Sequence, residues 1–385
     1  MTKCPRCFHP VDPNNYVWMC VSGRCEAKPD PAASAFTGGP VASGPILQLR
    51  QAPGAAPGWA PPDGAACPTC NERTPEVCAM CHYRYPEGWR QAQATCIAMA
   101  GARATGKSLY IAVVIKQLEQ LGERLGCSVE PATQLTQTNY QTYYEKPLYE
   151  ERGLMQSTQR ADVEGSYQRE PLIFSLGLWG GVRRYVVIRD VAGEDLESSA
   201  SQALHLSFFA NADGVFFMFD PLKVSEIRDQ LMDLVPSQLR IGGEPKTVLS
   251  NVLMSVGIGT PKVAVILSKF DALQALRKVD GSEWSQLMAN PGAAYLRDPS
   301  MSVRYNDVDG ELLHQEVRSL LLKLHAGPLV AAVENPTSGA PIPFRFFAVS
   351  ALGDSPIGEN IHSRGIAPFR CVDPVRWILS PVGVL

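Results

Sequence analysis

The sequence predicts an α/β fold in which a mostly parallel central sheet is flanked by helices and preceded by two small metal-binding modules. Apolar runs at 215–219 and 263–267 are typical of strands covered on both faces, as in a parallel sheet. A glycine-rich loop at 101–108 lies between a strand-like stretch and a stretch with helical spacing. Most of the cysteines occur in pairs before residue 82. A chain of 385 residues has room for one enlarged α/β domain and for such modules.

Charge and composition argue against several classes of function. The formal net charge is −3 and 19% of the residues are charged, so no overall basic field favours nucleic acid or an anionic membrane surface. The overall charge does not exclude a small local basic patch. The amino terminus has no apolar signal core and the apolar runs are too short to span a bilayer, which predicts a cytoplasmic protein without a membrane span. In a reducing compartment, 11 cysteines indicate metal binding more than disulfides.

Residues 1–27 are predicted to form the first zinc-ribbon-like module. The segment is too short to have much of a hydrophobic core, so a bound Zn²⁺ is the expected source of its stability. The expected ligands are the thiolates of Cys4, Cys7, Cys20 and Cys25. His9 is an alternative ligand. Residues 28–66 are rich in Pro, Ala, Gly and Ser, which indicates a flexible linker, although Ile46–Leu49 is a candidate strand of this first module.

Residues 67–90 are predicted to form the second zinc-ribbon-like module. Two C-x-x-C pairs can supply the four tetrahedral ligands of a closed structural Zn²⁺ site. The expected ligands are Cys67, Cys70, Cys78 and Cys81. His82 is an alternative ligand. Such modules bind proteins as readily as nucleic acid, so the sequence does not choose between these partners.

Residues 91–385 are predicted to form the α/β domain, with insertions near 127–169 and 276–340. The domain begins with a G-x-x-x-x-G-K-S loop, whose glycines and helix amino terminus can wrap a phosphate chain. We assign nucleotide binding to Gly101, Ala102, Arg103, Ala104, Thr105, Gly106, Lys107, Ser108 and Leu109. Lys107 is expected to reach the β and γ phosphates, and the Ser108 hydroxyl can ligate Mg²⁺.

A D-x-x-G element follows the predicted strand 184–189. Asp190 stands at the carboxyl end of this strand, where its carboxylate can hold Mg²⁺ through water. The N–H group of Gly193 can contact the γ phosphate, and Glu194 comes next. The element therefore adds a second contact to the predicted phosphate site.

Two later elements point to the base of the nucleotide. A second apolar strand ends in Ser268, Lys269 and Asp271, and the Asp271 carboxylate can accept two hydrogen bonds from guanine, whereas adenine presents the wrong pattern. Lys269 can pack along the base plane. The last predicted strand ends in Ser350, Ala351 and Leu352, whose backbone N–H groups can face the guanine carbonyl oxygen. These elements favour GTP over ATP.

The four elements GARATGKS, DVAGE, SKFD and SAL occur in this order at the ends of the predicted strands. In this respect the region from about 92 to 380 resembles the Ras-like, translation-factor-related P-loop GTPases. The cysteine pairs and the D-P-x-x-W-I-L tail look like those of bacterial GTPases of signalling or conflict systems. The resemblance implies GTP and GDP as ligands and Mg²⁺ as a cofactor, with two structural Zn²⁺ sites.

The resemblance also implies a first switch within the polar segment 127–169. Its threonine contacts Mg²⁺ and the γ phosphate when that phosphate is present. The candidates are Thr133, Thr136, Thr138, Thr142 and Thr158. Thr158 is favoured as the Mg²⁺ ligand because it lies closest before the next predicted strand.

Three positions depart from the family pattern. Arg103 stands where a small residue is usual, so it either crowds the γ phosphate or supplies positive charge to it. Glu194 replaces a Gln that orients the attacking water, and its carboxylate repels phosphate. Ser268 stands where the family's base-binding motif usually has an Asn or Thr whose side chain braces the motif. Catalytic roles are assigned to Lys107, Glu194, Thr158 and Arg103, with slow hydrolysis expected.

The leading hypothesis is a GTP-hydrolysing switch whose zinc modules or switch segments bind a protein partner. The alternative is a non-hydrolysing adaptor, stabilised by nucleotide, whose zinc ribbons bind protein or nucleic acid. A nucleic-acid-binding zinc protein with an accessory nucleotidase is the least favoured, because the chain is acidic overall.

Overall fold

The structure is a computed structural model that describes residues 2–50, 64–153, 155, 167–197, 204–231, 243–278, 283–336, 341–354 and 361–384. Thr158, the favoured switch threonine, lies outside these residues. Among the described residues, no helix is both long enough and apolar enough to cross a membrane.

A seven-stranded, mostly parallel sheet forms the centre of the described chain, in the order β14-β13-β12-β8-β11-β10-β9. Its strands are β8 (Gln93–Ala100), β9 (Glu130–Pro131), β10 (Leu172–Trp179), β11 (Val182–Arg189), β12 (Gly214–Phe219), β13 (Lys262–Leu267) and β14 (Phe344–Ala348). The five strands from β14 to β11 pair in parallel, and β10 and β9 pair in antiparallel fashion. This confirms the predicted fold class.

Burial explains why the central strands are continuous apolar runs. Every residue of β12 is buried, and in β13 only Lys262, at the strand's start, is partly exposed. Helices cover both faces of such a sheet, so neither face of these strands needs a polar residue. A hairpin at Trp179–Val182 joins β10 to β11.

Helices surround this sheet. They are α1 (Pro31–Thr37), α2 (Lys107–Leu125), α3 (Gln134–Tyr140), α4 (Gly193–Glu197), α5 (Phe208–Asn211), α6 (Ser225–Leu231), α7 (Pro245–Val256), α8 (Phe270–Gln274), α9 (Glu283–Met288), α10 (Asp307–Lys323), α11 (Gly327–Glu334) and α12 (Asp373–Leu379). A π-helix, Gln141–Glu150, continues directly from α3. Single 3₁₀ turns lie at Trp89–Gln91, Tyr167–Arg169, Leu204–Leu206, Pro221–Lys223, Ala275–Lys278, Ala294–Leu296 and Ser380–Val382.

The amino-terminal part contains a three-stranded antiparallel sheet in the order β4-β1-β7. The strands of this part are β1 (Asn15–Met19), β2 (Lys28–Pro29), β3 (Ala42–Ser43), β4 (Ile46–Arg50), β5 (Ala65–Ala66), β6 (Arg73–Thr74) and β7 (Glu76–Val77). The strand expected at Ile46–Leu49 is present and pairs with β1.

The flexible linker predicted at 28–66 is wrong for residues 28–50. This stretch forms β2, α1, β3 and β4, and Asp30 fixes it in place. The Asp30 carboxylate caps α1 at the Ala33 N–H (3.0 Å) and contacts His82 Nδ1 at 2.7 Å. The Pro- and Ala-rich composition suggested a linker, but the capped helix and two strand pairs give this segment ordered contacts.

Candidate functional site

The elements assigned to nucleotide binding follow the parallel strands at one edge of the sheet. The loop 101–108 follows β8, Asp190 follows β11, residues 268–271 follow β13, and residues 350–352 follow β14. Carboxyl ends of parallel strands meet at the same edge, which is where open α/β sheets bind ligands. The topology therefore brings the predicted elements to a common edge.

The loop 101–108 has the backbone of an anion cradle. Gly101, Ala104 and Gly106 have positive φ angles of 140°, 57° and 87°, which turn successive peptide groups around a common centre. A Cβ atom on Gly101 would lie 2.1 Å from the Met218 carbonyl oxygen, so β12 leaves room there for glycine alone. The following helix, α2, begins at Lys107 with its N–H groups directed to the loop.

Lys107 is buried inside this loop. Its Nζ donates to the carbonyl oxygens of Gly101 (2.8 Å) and Ala102 (3.2 Å). Burial lowers the pKa of Lys107, and the nearby carboxylates, including Asp190, oppose this effect. A phosphate group bound in the loop would add a favourable partner for the ammonium group.

Ser108 and Asp190 form a buried polar pair beside the loop. Ser108 Oγ donates to Asp190 Oδ2 at 3.0 Å. Hydroxyl and carboxylate oxygens are the ligands that Mg²⁺ prefers, and they often act together with phosphate oxygens. The donor set therefore fits a magnesium ion held between Ser108, Asp190 and a nucleotide.

Helix α4 packs directly against the phosphate loop. A Cβ atom on Gly193 would lie 2.4 Å from the Arg103 nitrogen, so this position also requires glycine. Arg103 Nε lies 3.0 Å from Glu194 Oε1, and the backbone N–H of Arg103 donates to Glu197 Oε1 at 2.9 Å. Two of the three departures from the family pattern, Arg103 and Glu194, thus form an ion pair.

Lys223 joins the loop from the segment after β12. Its Nζ donates to the Arg103 carbonyl oxygen. Burial and the positive charge of Lys269 lower the pKa of Lys223 to about 8. The loop and the Lys269 element are therefore close enough to share an electrostatic environment.

The two elements predicted to bind the base, residues 268–271 and 350–352, also lie close together. Ser350 Oγ donates to Asp271 Oδ1 at 2.6 Å, which links the ends of β13 and β14. Lys269 has a positive φ of 51° and its Nζ contacts Asp220 Oδ2 at 2.8 Å. Ser268 Oγ donates to the Phe219 carbonyl oxygen at 2.8 Å, so it braces the strand ends. Ala351 and Leu352 follow Ser350, and the Leu352 carbonyl oxygen accepts from the Ala367 N–H.

Two of the candidate switch threonines have structural contacts. Thr133 caps α3 by accepting from the Thr136 N–H at 3.0 Å. Thr136 Oγ1 accepts from the Ile173 N–H at 3.1 Å, on strand β10. These contacts give both threonines a structural role that requires no bound ligand. Thr158 stays a prediction.

Two groups of four cysteines can each hold a metal ion among the described residues. They are Cys4, Cys7, Cys78 and Cys81, here the first cluster, and Cys20, Cys25, Cys67 and Cys70, the second cluster. Within each, the Sγ atoms lie within 4.8 Å of one another. Five Sγ–Sγ contacts within the clusters measure 3.5 to 3.8 Å. Thiolates placed tetrahedrally about Zn²⁺ at about 2.3 Å stand about 3.8 Å apart, so both groups fit zinc.

Three of the four cysteine pairs share one backbone turn. Phe8, Asn71 and His82 directly follow the second cysteine of a pair, and each has a positive φ between 53° and 59°. The N–H of each donates to the carbonyl oxygen of the first cysteine of its pair, at 2.9 to 3.0 Å. This turn brings both thiols of a pair to one side.

The sequence prediction grouped these cysteines wrongly. Each cluster takes one pair from the region before residue 28 and one from the region after residue 66. The reason is the antiparallel pairing of β1 with β7, in which Val17 faces Val77 and Trp18 faces Glu76. That pairing places the start of β1 beside the end of β7 and the end of β1 beside the start of β7. The two predicted modules are therefore interleaved, and neither contains a complete site.

The alternative ligands His9 and His82 lie outside both clusters. His82 contacts Asp30, and the His9 ring packs against Phe36 with centroids 5.9 Å apart.

The part of the chain around the first cluster is joined to the α/β domain through several contacts. Lys3 Nζ lies 2.6 Å from Asp213 Oδ1, just before β12. Arg189 Nη1 donates to the Arg6 carbonyl oxygen at 2.7 Å, and the Arg189 guanidinium lies 3.9 Å from the Phe208 ring centroid. Phe8 packs edge-on against the same ring, with centroids 5.3 Å apart. The metal-binding part is thus packed on the α/β domain.

Four residues that contact the predicted nucleotide elements were not predicted from the sequence. Asp220 and Lys223 follow β12, which the sequence analysis treated as core, although an Asp directly after a buried strand was a usable signal. Glu197 and Tyr144 carried no such signal. Tyr144 lies in the segment without clear periodicity, yet its hydroxyl is 3.5 Å from Asp190 Oδ2.

No protein-family model matches the chain. Among solved structures, the GTPase-like domain of Ski7 from S. cerevisiae, bound to GDP and inorganic phosphate, is 10% identical with a TM-score of 0.32 over 77% of this chain and 51% of that one. The Arl6 BBS3 small GTPase from Trypanosoma brucei is 13% identical with a TM-score of 0.30 over 75% and 97%. Overlaps at these TM-scores assign neither a fold nor a function.

A curated relative from Mycolicibacterium smegmatis covers the whole chain. It carries the name "Putative ESX-1 scaffolding and assembly protein SaeC" and is 55% identical over 387 residues, which is 100% of both chains. Identity at this level over full length shows common descent. The protein described here belongs to the SaeC family.

Proposed function

We propose that this protein binds GTP and GDP with Mg²⁺ and acts as a slowly hydrolysing switch in a protein assembly. The observation that carries the proposal is the convergence of two hydrogen-bonded pairs at the loop-bearing edge of the sheet. Ser108 with Asp190 provides oxygen ligands beside the phosphate loop, and Ser350 with Asp271 provides a fixed carboxylate for guanine.

Each part of the proposed site has a stated task. The loop N–H groups and Lys107 bind the phosphates, and bound Mg²⁺ would neutralise charge that develops on their oxygens. Ser108 and Asp190 would hold that ion, with Thr158 as a further ligand. Asp271, held by the Ser350 hydroxyl, accepts the two guanine N–H groups.

Hydrolysis is proposed to be slow because of the contacts at α4. Glu194 is bound to Arg103 at 3.0 Å, so neither side chain is free to act on an attacking water without breaking this ion pair. The carboxylate also repels the γ phosphate, where an amide would not. Arg103 would supply positive charge once Glu194 releases it.

We also propose that both cysteine clusters hold Zn²⁺ and that this cytoplasmic protein has protein partners. A Zn²⁺ ion with four thiolates carries a net charge of −2. The buried Arg6 and Arg189 stand beside the first cluster as compensating cations. Since the relative is named for ESX-1 scaffolding and assembly, we assign the same role to this chain, with the metal-binding part or the segment around Gly193 as the contact surface.

Nucleotide titration of the purified protein tests the first part. Fluorescent GTP, GDP and ATP analogues are added with Mg²⁺, and guanine nucleotides are expected to bind much more tightly than ATP. Lys107→Ala is expected to abolish binding, whereas Lys323→Ala, at the exposed carboxyl end of α10, serves as the control. Preference for ATP would refute the guanine assignment.

A second candidate function is a nucleotide-stabilised adaptor that does not hydrolyse GTP. The Arg103–Glu194 ion pair favours it, because it holds both candidate catalytic side chains away from water activation. Single-turnover phosphate release decides between the two functions. Release that disappears in Lys107→Ala supports the GTPase, and bound GTP that stays intact for many hours supports the adaptor.

A further inference from the structure

Tyr144 brings a hydroxyl group to the proposed magnesium end of the site. The residue lies in the π-helix Gln141–Glu150, and π-helical segments recur at functional sites. Its hydroxyl donates to Asp190 Oδ2 at 3.5 Å. The same oxygen accepts the Ser108 hydroxyl at 3.0 Å. Asp190 is therefore approached by one hydroxyl from the phosphate-loop helix and one from the 127–169 segment.

Packing fixes the Tyr144 ring in this direction. The side chain is buried, and its ring stacks on Tyr140 with centroids 6.1 Å apart and an interplanar angle of 13°. Tyr167 packs edge-on against it at 6.0 Å. A ring held on two sides has little freedom in χ1 and χ2, so its hydroxyl can approach Asp190 without a large loss of side-chain entropy.

The π-helix and the residue that precedes it, Tyr140, are also attached to the phosphate-loop helix. The Tyr140 hydroxyl donates to the Ala112 carbonyl oxygen at 3.0 Å, and Lys116 forms an ion pair with Glu145. Both partners belong to α2, which begins at Lys107. Movement of Tyr144 relative to Ser108 is therefore restricted by two contacts on either side of it in sequence.

A phenol is protonated near neutral pH, so the Tyr144 hydroxyl acts as a donor to the Asp190 carboxylate. A distance of 3.5 Å is long for a strong hydrogen bond, so the contact leaves the carboxylate able to turn toward a cation while still guiding it.

We propose that Tyr144 is a positioning residue that orients Asp190 for Mg²⁺, in addition to the switch threonine. The inference rests on the proposed function, since it concerns the same site. It assigns to the π-helix a contact with the magnesium end of the site that does not depend on Thr158.

The test is the Mg²⁺ dependence of GDP release. Dissociation of fluorescent GDP from full-length protein is measured over a range of Mg²⁺ concentrations and in EDTA. Tyr144→Phe removes one oxygen and keeps the ring, so the Mg²⁺ concentration for half-maximal slowing is expected to rise about 3- to 10-fold. Release in EDTA is expected to stay within about twofold of wild type, because the hydroxyl acts through the ion.

Tyr140→Phe is the matched control, because it removes a buried hydroxyl from the same stack that contacts a backbone carbonyl. It removes only one of the two attachments to α2 and no contact with Asp190, so it is expected to change the Mg²⁺ midpoint less than Tyr144→Phe does. In an Asp190→Asn background, Tyr144→Phe is expected to have no further effect, since the two residues act through one contact.

Several outcomes would overturn the inference. They are an unchanged midpoint in Tyr144→Phe, a lower midpoint, an equal change in Tyr140→Phe, and an undiminished effect beside Asp190→Asn. A lower midpoint would mean that the hydroxyl competes with the ion. Wild-type protein that binds no guanine nucleotide would overturn the proposed function itself, which separates the two failures.

Discussion

The interleaved cysteine clusters predict an unusual pattern of zinc loss in double variants. Cys7 and Cys78 belong to the first cluster, with their Sγ atoms 3.7 Å apart, although 71 positions separate them in sequence. Replacing both by Ser leaves the first cluster with two thiolates and the second cluster complete. Replacing Cys7 and Cys20 instead removes one thiolate from each cluster.

The expected magnitude follows from counting ligands. Wild-type protein should carry two zinc ions, one for each cluster. After challenge with a moderate chelator, Cys7→Ser with Cys78→Ser should keep one ion, and Cys7→Ser with Cys20→Ser should keep none. A complete four-cysteine site in a small protein contributes about 10–16 kcal/mol of apparent binding free energy at pH 7, so an intact site survives such a challenge.

The assay is metal analysis by mass spectrometry, combined with a colorimetric measurement of zinc released by the chelator. Thermal unfolding of each variant shows whether the α/β domain stays folded. If the clusters were sequential, with Cys4 to Cys25 in one and Cys67 to Cys81 in the other, the two variants would exchange their results. One zinc retained in the Cys7 and Cys20 variant would therefore refute the interleaved arrangement.

Three further predictions concern single side chains. Asp271→Asn should weaken GTP binding about 10- to 100-fold and favour xanthosine triphosphate, because a charged acceptor is lost; equal GTP affinity in a titration would remove Asp271 from the site. Glu194→Gln should raise single-turnover phosphate release about 10-fold or more, since the amide no longer repels phosphate; Glu194→Ala is the control, and a slower Gln variant contradicts the reasoning. Burial raises the pKa of Asp373 to about 6, above about 3.9 in the unfolded chain, so its contribution to stability is complete below about pH 4 and is lost as pH rises through 6, by up to about 3 kcal/mol. Asp373→Asn should therefore flatten the fall in the free energy of unfolding between about pH 4 and 6 in urea titrations, and an equally steep fall would contradict this.

The position of the predicted nucleotide elements at one edge of the sheet could be predicted because each element is encoded by a local stretch of sequence. The loop 101–108 requires glycine where β12 approaches it, and that requirement is visible as a motif. Asp190 and Asp271 each follow an apolar strand, and parallel strands deliver such residues to one edge without further information. The order of motifs along the chain was therefore enough to predict the Ser350–Asp271 neighbourhood.

The cysteine grouping could not be predicted in this way because it depends on a non-local strand pair. The spacing of each C-x-x-C pair reports the local turn, which is alike around Cys4, Cys67 and Cys78. Which pairs share a metal is decided by β1 lying antiparallel to β7, and those strands are only five and two residues long. Such short strands have weak sequence patterns, so their register was not available from composition or periodicity.

Tyr144 escaped prediction for a related reason. The segment 141–150 has neither the period of an α-helix nor the alternation of a strand, because it forms a π-helix with Pro147 inside. An irregular pattern suggested a surface insertion, whereas the structure buries both Tyr144 and Leu148. A segment that is hard to assign by periodicity can therefore still carry buried residues that face a site.

The contacts of the first cluster and the proposed nucleotide site both involve the carboxyl end of strand β11. Arg189 is the last residue of that strand and is held by the Arg6 carbonyl oxygen, while the next residue, Asp190, faces Ser108. Phe208, beyond α4, is packed between Arg189 and Phe8. The segment that carries Gly193 thus runs between the phosphate loop and the metal-binding part. Because β11 is paired on both sides in the sheet and cannot shift alone, a displacement of Asp190 by bound nucleotide would reach Arg6 through Arg189.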